Sequence, residues 1–182
     1  MHSSLDSFVA GPKGEIDWIK VDEEMFEYSG RQTDQSDTGL YGRVTYQMMD
    51  AYWPTAGDDP NASKHDTQHS AWYNHVSKVV ISKTMKGKLI PNTTIISENI
   101  SEEITKLKQK PGKDIVVFGS PSIGHLLLSY NLIDDMWVFI NPVLIGKGIP
   151  LFKDIKEIKK LKLIDSKVFN SGVVGLLYEK YK

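Results

Sequence analysis

Residues 114–128 read DIVVFGSPSIGHLLL. The apolar run Ile115-Val116-Val117-Phe118 has the composition of a buried strand and stops at Gly119-Ser120. Ile123, Leu126, Leu127 and Tyr130 then fall at helical spacing. A buried strand that turns through glycine into a helix leaves the first helical N–H groups without intrahelical acceptors, and those donors, with the helix dipole, suit an anion. The stretch therefore predicts alternating strands and helices, and it poses the question of which anion is held there.

Outward from it the same grammar repeats. GLYGR (39–43) predicts a short strand running into a helix, with Val44, Met48, Met49 and Tyr52 on one face. PTAGDDPNASKHDTQH (54–69) is polar and rich in breakers and reads as a surface loop, followed by a short helix at AWYNHV (71–76). KVVIS (78–82) and TTIIS (93–97) read as buried strands. Ile100, Ile104 and Leu107 mark a helical stripe that Asn99 and Glu102 open as a capping box and Pro111-Gly112 closes. MWVFINPVLIG (136–146) predicts a long strand in which Pro142 implies an edge or a bulge. The tail 160–181 reads as two strands around the turn Asn170-Ser171-Gly172. Alternation followed by strands alone predicts an α/β sheet, mostly parallel with an antiparallel end.

The chain has 182 residues, which predicts one domain over 1–182 with ample core. A net charge of −1 carries no nucleic-acid footprint. The basic run IKEIKKLK (155–162) is short and lacks the interleaved aromatics of a single-strand binder. There is no cysteine, which removes disulfides, cysteine–zinc sites and thiol nucleophiles. No apolar run approaches the roughly 20 residues that span a bilayer, and no leader opens the chain, so the expectation is a cytoplasmic protein.

Three junctions could carry chemistry. Gly42-Arg43-Val44-Thr45 offers close backbone approach, a planar phosphate-binding fork and a hydroxyl in the first helical turn. Ser82-Lys83-Thr84 is polar and basic at a strand end. Gly119-Ser120-Pro121-Ser122-Ile123-Gly124 is the turn already described. All three lie at the carboxyl ends of predicted strands, where open α/β sheets bind ligands, so one elongated phosphate-bearing ligand could touch all of them. Each alone is also an ordinary turn or N-cap. Neither G-x-G-x-x-G after the first strand nor G-x-x-x-x-G-K-[ST] is present. His65, His69 and His75 offer no convincing third metal ligand and read as surface residues, with no metal site expected. Trp53 reads as core, and His125 as facing solvent.

SLDSFVAGPKGEIDW (4–18), YGRVTYQMM (41–49), KVVISKT (78–84), VFGSPSIGHLLL (117–128), LIDD (132–135), PVLIGKGIPLF (142–152) and FNSGVVGLLY (169–178) together resemble the dihydrofolate reductase-like family. More closely they resemble its branch containing the reductase domain of bacterial riboflavin biosynthesis, the RibD C-terminal domain. The resemblance implies a three-layer fold: a central, mainly parallel sheet of about eight strands, flanking helices and a C-terminal antiparallel hairpin. It also implies NADPH as hydride donor. On this resemblance Gly42, Arg43 and Thr45 lie near the adenosine phosphate and pyrophosphate, and Ser82, Lys83 and Thr84 line the adenosine end. Gly119, Ser120, Ser122, Ile123 and Gly124 lie under the pyrophosphate, which answers the question of the anion.

The expected partner is a small soluble substrate, pterin-, pyrimidine- or ribosylamino-like. Asp6, Asp22 and Glu23 are the candidate catalytic carboxylates, since hydride transfer also needs a proton. Asp6 matches the family's SLDG segment, while Asp17 and Trp18 match the segment capping the pocket. Asp22, Glu23 and Glu24 equally suit the acidic first turn of a solvated helix. The chain lacks the zinc-deaminase pattern, which weighs against the riboflavin-pathway reaction itself. Two departures stand out. Ser7 replaces the glycine of SLDG, and only Met1-His2-Ser3 precede that segment, so either the start lies upstream or the sheet accepts a short first strand. A homodimer is expected, through the strand at 136–145 or the C-terminal hairpin. The alternatives to a reductase are a non-catalytic NADP-binding module and a structural dimer of the same fold.

Overall fold

The computed structural model describes residues 1–181. In chain order the elements are β1 (His2–Ser4), β2 (Phe8–Ala10), α1 (Glu23–Asp34), β3 (Ser36–Gly42), α2 (Arg43–Ala56), α3 (Lys64–His75), β4 (Ser77–Ile81), β5 (Thr93–Ile96), α4 (Ile100–Lys108), β6 (Asp114–Gly119), α5 (Pro121–Ser129), β7 (Asp135–Asn141), β8 (Ile149–Pro150), β9 (Leu161–Val168) and β10 (Val174–Lys180). They divide into two compact units. One runs from Phe26 to Gly124; the other joins Met1–Met25 to the chain from His125 onward.

In the Phe26–Gly124 unit four strands pair in the order β5-β4-β3-β6, all parallel. β3 is buried along almost its whole length, as a central parallel strand must be, and Leu40 and Tyr41 are essentially inaccessible. Tyr41, Tyr46, Tyr73, Val80 and Met85 form the core on which α2 and α3 pack. The buried side of α2 carries Tyr46, Met49 and Trp53, whereas Val44, Met48 and Tyr52 are exposed. Of the predicted set only Met49 therefore faces the core; Val44, Met48 and Tyr52 do share a face, but it is the exposed one, because Tyr46 and Trp53 supply the larger apolar surface on the other side. α2 also carries Pro54 in its last turn, where the bond forfeited is the one its own missing N–H would make to the carbonyl of Asp50.

A second correction concerns the predicted loop at 54–69, of which 54–56 end α2 and 64–69 open α3. Ser63 caps α3 in a reciprocal box with Asp66. A third concerns Asn99, which takes a left-handed φ of 49° and makes no side-chain cap at α4.

In the other unit the order is β1-β7-β10-β9, with β1 parallel to β7 and the remaining pairs antiparallel. β2 and β8 form a separate antiparallel ribbon. The strands thus hydrogen-bond as two four-stranded sheets and a ribbon, where one sheet of about eight strands was expected. β1 is short, three residues, yet fully paired with β7 from His2↔Phe139 to Ser4↔Asn141. β7 stops at Asn141, before Pro142, because proline has no N–H to continue the ladder. The C-terminal hairpin forms as expected, its turn carried by Gly172 at φ 83°. Val9, Val138 and Leu151 make the local core. Ser7 takes φ 66°, a left-handed conformation that costs a non-glycine residue about 1 kcal/mol.

Candidate functional site

The parallel register brings the strand ends of the Phe26–Gly124 unit to one edge. Gly42 pairs beside Ile81, Tyr41 beside Gly119, and Ile81 beside Ile96. Each of the three predicted junctions therefore opens at that edge.

Gly42 is the N-cap of α2, with extended backbone and no side-chain cap. A Cβ there would lie 2.8 Å from Ser120 Oγ and 2.9 Å from Ile123 Cγ1, so only glycine lets the turn after β3 approach the turn after β6 this closely. Gly119 has φ 128°, a conformation that favours glycine, and its Cβ position faces Thr45 Oγ1 at 3.5 Å. The Gly119–Ser120 peptide is cis. Ser120 and Ser122 hydroxyls lie 2.7 Å apart, and the Ile123 and Gly124 N–H groups donate back to the Ser120 carbonyl at 3.0 and 3.1 Å. Neither α2 nor α5 has an acidic residue in its first turn. Two helix N-termini without local negative charge, joined through glycine, make a cradle of fixed positive partial charge.

The remaining residues surround this cradle. Arg43 is exposed and donates from Nη1 to Gln47 Oε1 at 2.8 Å. Ser82 is buried: its N–H donates to Ile96 O at 2.9 Å, and its Oγ accepts from Met85 N–H at 3.3 Å and sits 3.3 Å from Thr84 Oγ1. Lys83 and Thr84 are exposed on the turn that Ser82 anchors.

The candidate carboxylates belong to the other unit. Asp6 accepts from the N–H groups of Gly146 and Ile145, at 2.7 and 3.3 Å, and so ties down the turn after β7. Hydrogen bonding, from the Ser4 side chain first and then these N–H groups, holds its carboxyl below the usual range. Asp22 caps α1: Oδ1 accepts from Met25 N–H at 2.8 Å and Oδ2 from Ser171 N–H at 3.2 Å, and the Met25 bond leads in lowering its pKa. Glu23 is exposed in the first turn of α1. Its neighbour Glu24 pairs with Lys167 at 2.9 Å and is lowered by it.

Several positions depart from their sequence reading. His125 does not face solvent alone: its Nε2 lies 3.0 Å from Leu151 O and 3.2 Å from Pro150 O. His69 is buried rather than superficial, and His65 is half-buried against Phe26, their rings stacked at 4.0 Å. Asn141, which nothing in the sequence singles out, is wholly buried and joins β7, β1 and Lys20.

The chain has informative relatives. It is 36% identical over 180 residues to the uncharacterised protein YyaP of Bacillus subtilis (strain 168), covering 96% of this chain and 89% of that one. Its structure is similar to that of a Thermotoga maritima diaminohydroxyphosphoribosylaminopyrimidine deaminase/5-amino-6-(5-phosphoribosylamino)uracil reductase, with a TM-score of 0.67 at 14% identity over 99% of this chain and 55% of that one. It is also similar to Enterococcus faecalis dihydrofolate reductase complexed with NADP(H) and RAB-propyl, with a TM-score of 0.65 at 13% identity over 100% of this chain and 94% of that one. At these identities the structural likenesses establish a dihydrofolate reductase-like α/β fold and no more. Family membership rests on sequence instead: the profile of the RibD C-terminal domain matches residues 1–175, a span that holds every junction described above, and the chain belongs to that family.

Proposed function

We propose that the chain is an NADPH-dependent reductase that transfers hydride to a small soluble substrate of pterin, pyrimidine or ribosylamino type, with residues 1–182 acting as one functional domain. The observation that carries this reading is the cradle at the Gly42 and Gly119 junctions, where any Cβ at Gly42 would fill the space between the two turns. Its residues fit a dinucleotide. Gly42, Thr45, Gly119, Ser120 and Ser122 would hold the pyrophosphate through N–H donors and hydroxyls, while Ile123 and Gly124, whose N–H groups donate to the Ser120 carbonyl, would shape the turn around it. Arg43 and Lys83 would meet the 2′-phosphate that distinguishes NADPH from NADH, and Ser82 and Thr84 would border the adenosine. The cofactor supplies the hydride; the protein supplies position and electrostatics. Asp6, Asp22 and Glu23 are assigned to the substrate side. Asp6 and Asp22 are held ionised by their hydrogen-bond donors, which suits them to orient substrate N–H groups or water rather than to release a proton themselves. Self-association into a homodimer is part of the same reading.

Titration with NADPH and NADH, followed by the fluorescence of the four tryptophans, tests it. The expected result is micromolar binding of NADPH with a clear preference over NADH. Arg43→Ala should weaken NADPH by about tenfold, the order of one charge-assisted phosphate contact, and leave NADH within about twofold. No binding of either nucleotide rejects the reading. Binding without consumption of NADPH across pterins and aminopyrimidines identifies a non-catalytic module instead.

A further inference from the structure

The sheet edge that bears the nucleotide junctions also carries a charge of the opposite sign. β4 and β5 run parallel with Ile81 beside Ile96, and the Ser82 N–H donates to the Ile96 carbonyl at 2.9 Å. The chain therefore leaves the sheet twice, side by side, as Ser82-Lys83 after β4 and as Ser97-Glu98 after β5. This register brings Glu98 to the same edge as Lys83. Glu98 Oε1 lies 2.6 Å from Nζ of Lys86, which closes the turn that Lys83 opens. Lys86 first, and Lys83 after it, hold the Glu98 carboxyl below the usual range. The next carboxylates along the chain, Glu102 and Glu103, are taken up by Lys106 within α4.

Both members of the Lys86–Glu98 pair are exposed, so the pair contributes little to stability. Its significance lies in where it places charge. Arg43 bonds to the neutral Gln47 and keeps its full charge, whereas Lys83 stands beside a carboxylate. A carboxylate at a strand end accepts the ribose 2′-hydroxyl of NADH and repels a 2′-phosphate, while cationic side chains favour the phosphate. Both signs stand at this edge, and Lys86 is the group that offsets the negative one.

We propose that Glu98 is a specificity-determining residue of the nucleotide site and that Lys86 masks it. Paired with Lys86, Glu98 leaves Lys83 free to meet a 2′-phosphate. Unmasked, it neutralises Lys83, repels the phosphate and offers an acceptor to the 2′-hydroxyl of NADH. The proposal rests on the nucleotide reading above and adds two residues that set the preference without being ligands of the phosphate.

The test is titration of the native full chain and its variants with NADPH and, separately, with NADH. Lys86→Met keeps the length of the side chain and removes its charge. It should weaken NADPH about tenfold, the order of one unmasked charge at close range, and leave NADH unchanged or tighter. Glu98→Gln should tighten NADPH about threefold, a gain that added salt should shrink. The double variant Lys86→Met/Glu98→Gln is decisive. It should return NADPH to within about threefold of native, because the charge that Lys86 masked is gone. A double variant as weak as Lys86→Met would make Lys86 itself a ligand of the phosphate and overturns the proposal. An NADPH-to-NADH ratio that neither single variant moves, in a chain whose native form binds and discriminates, overturns the proposal alone. A native chain that binds neither nucleotide overturns the reductase reading and the proposal together.

Discussion

Asn141 closes hydrogen bonds that the strands around it cannot close for themselves. Wholly buried at the end of β7, its Oδ1 accepts from Lys20 N–H at 2.9 Å, and its Nδ2 donates to the carbonyls of Ser3 and Phe139, each at 3.2 Å. Alanine would strip a partner from the buried carbonyls of Ser3 and Phe139, and each such orphan costs about 1–3 kcal/mol, while the Lys20 N–H, on an exposed residue, can turn to water. Asn141→Ala is expected to lower stability by about 2–4 kcal/mol in urea denaturation; a loss below about 1 kcal/mol would mean that water enters and replaces the amide. Gly42 is the opposite case, a residue whose value lies in having no side chain. Ser120 Oγ can rotate away from an added Cβ, but Ile123 Cγ1 at 2.9 Å must shift with its helix. Gly42→Ala should therefore cost about 1–3 kcal/mol and, on the proposed function, weaken NADPH by at least tenfold with NADH falling in parallel, because the pyrophosphate is common to both. Normal nucleotide affinity in a folded Gly42→Ala would remove the cradle from the binding site.

The first half of α3, ahead of the helix already predicted at 71–76, shows what makes an element hard to read. The twelve residues of α3, KHDTQHSAWYNH, carry no apolar stripe, so periodicity is silent, and the flanking Pro60-Asn61 and Ser63 look like loop. The one local signal is Ser63 three residues before Asp66, a capping pair with aspartate in place of the usual glutamate. Tertiary burial of His69, Ser70 and Tyr73 does the rest. Strands were legible because β-branched runs bounded by glycine have few other uses, and the three junctions followed from the strand ends. The junctions' mutual approach was not legible, since it depends on register. The packing of His65 on Phe26 and of His69 on Trp53 was equally hidden, since both histidines lie in the misread segment. Burial of His69 also has a consequence for pH. Its folded pKa of about 4 lies below the ordinary 6.5, with His65 adding to the depression and Asp66 opposing it. Between those values the unfolded chain binds a proton that the native one refuses, so stability is full above pH 6.5 and falls as pH drops toward 4. His2, lowered to about 4 by burial, acts in the same direction. Comparing stability by denaturation at pH 7 and pH 4.5 should show a loss on the order of 5 kcal/mol in the native chain, shared about equally between His69 and His2, and about half that in His69→Phe. Equal losses would place the sensitivity elsewhere.

Across the whole molecule charge is nearly balanced, 22 basic against 23 acidic residues, so on the proposed function the cofactor's phosphates would be held by local groups, helix N-termini and single side chains, rather than by net charge. Among the described residues no helix is long and apolar enough to cross a membrane. What the surface does offer is β9. It ends its sheet, with β10 as its strand neighbour, and it runs for eight residues that are mostly exposed. Leu163, Ile164 and Val168 are 50%, 46% and 72% accessible, and the pairing with β10 shifts register at Ile164, between Leu163 and Asp165. Long exposed edges with apolar residues invite a further strand or sheet, and the lysines at 162 and 167 restrict that invitation to a partner that can accommodate positive charge. A second copy of the chain, packed over Ile164 and Val168, is the occupant this edge suits, since Lys167 is already neutralised by Glu24 and only the long, flexible Lys162 must turn aside to solvent. Light scattering coupled to size exclusion at tens of micromolar should then return twice the 20.5 kDa chain mass. Ile164→Lys should shift the species to a monomer without lowering nucleotide affinity, because the cradle lies in other strands. A monomeric native chain would show that the lysines on this edge suffice to keep it solitary, and a dimer untouched by Ile164→Lys would move the interface away from β9.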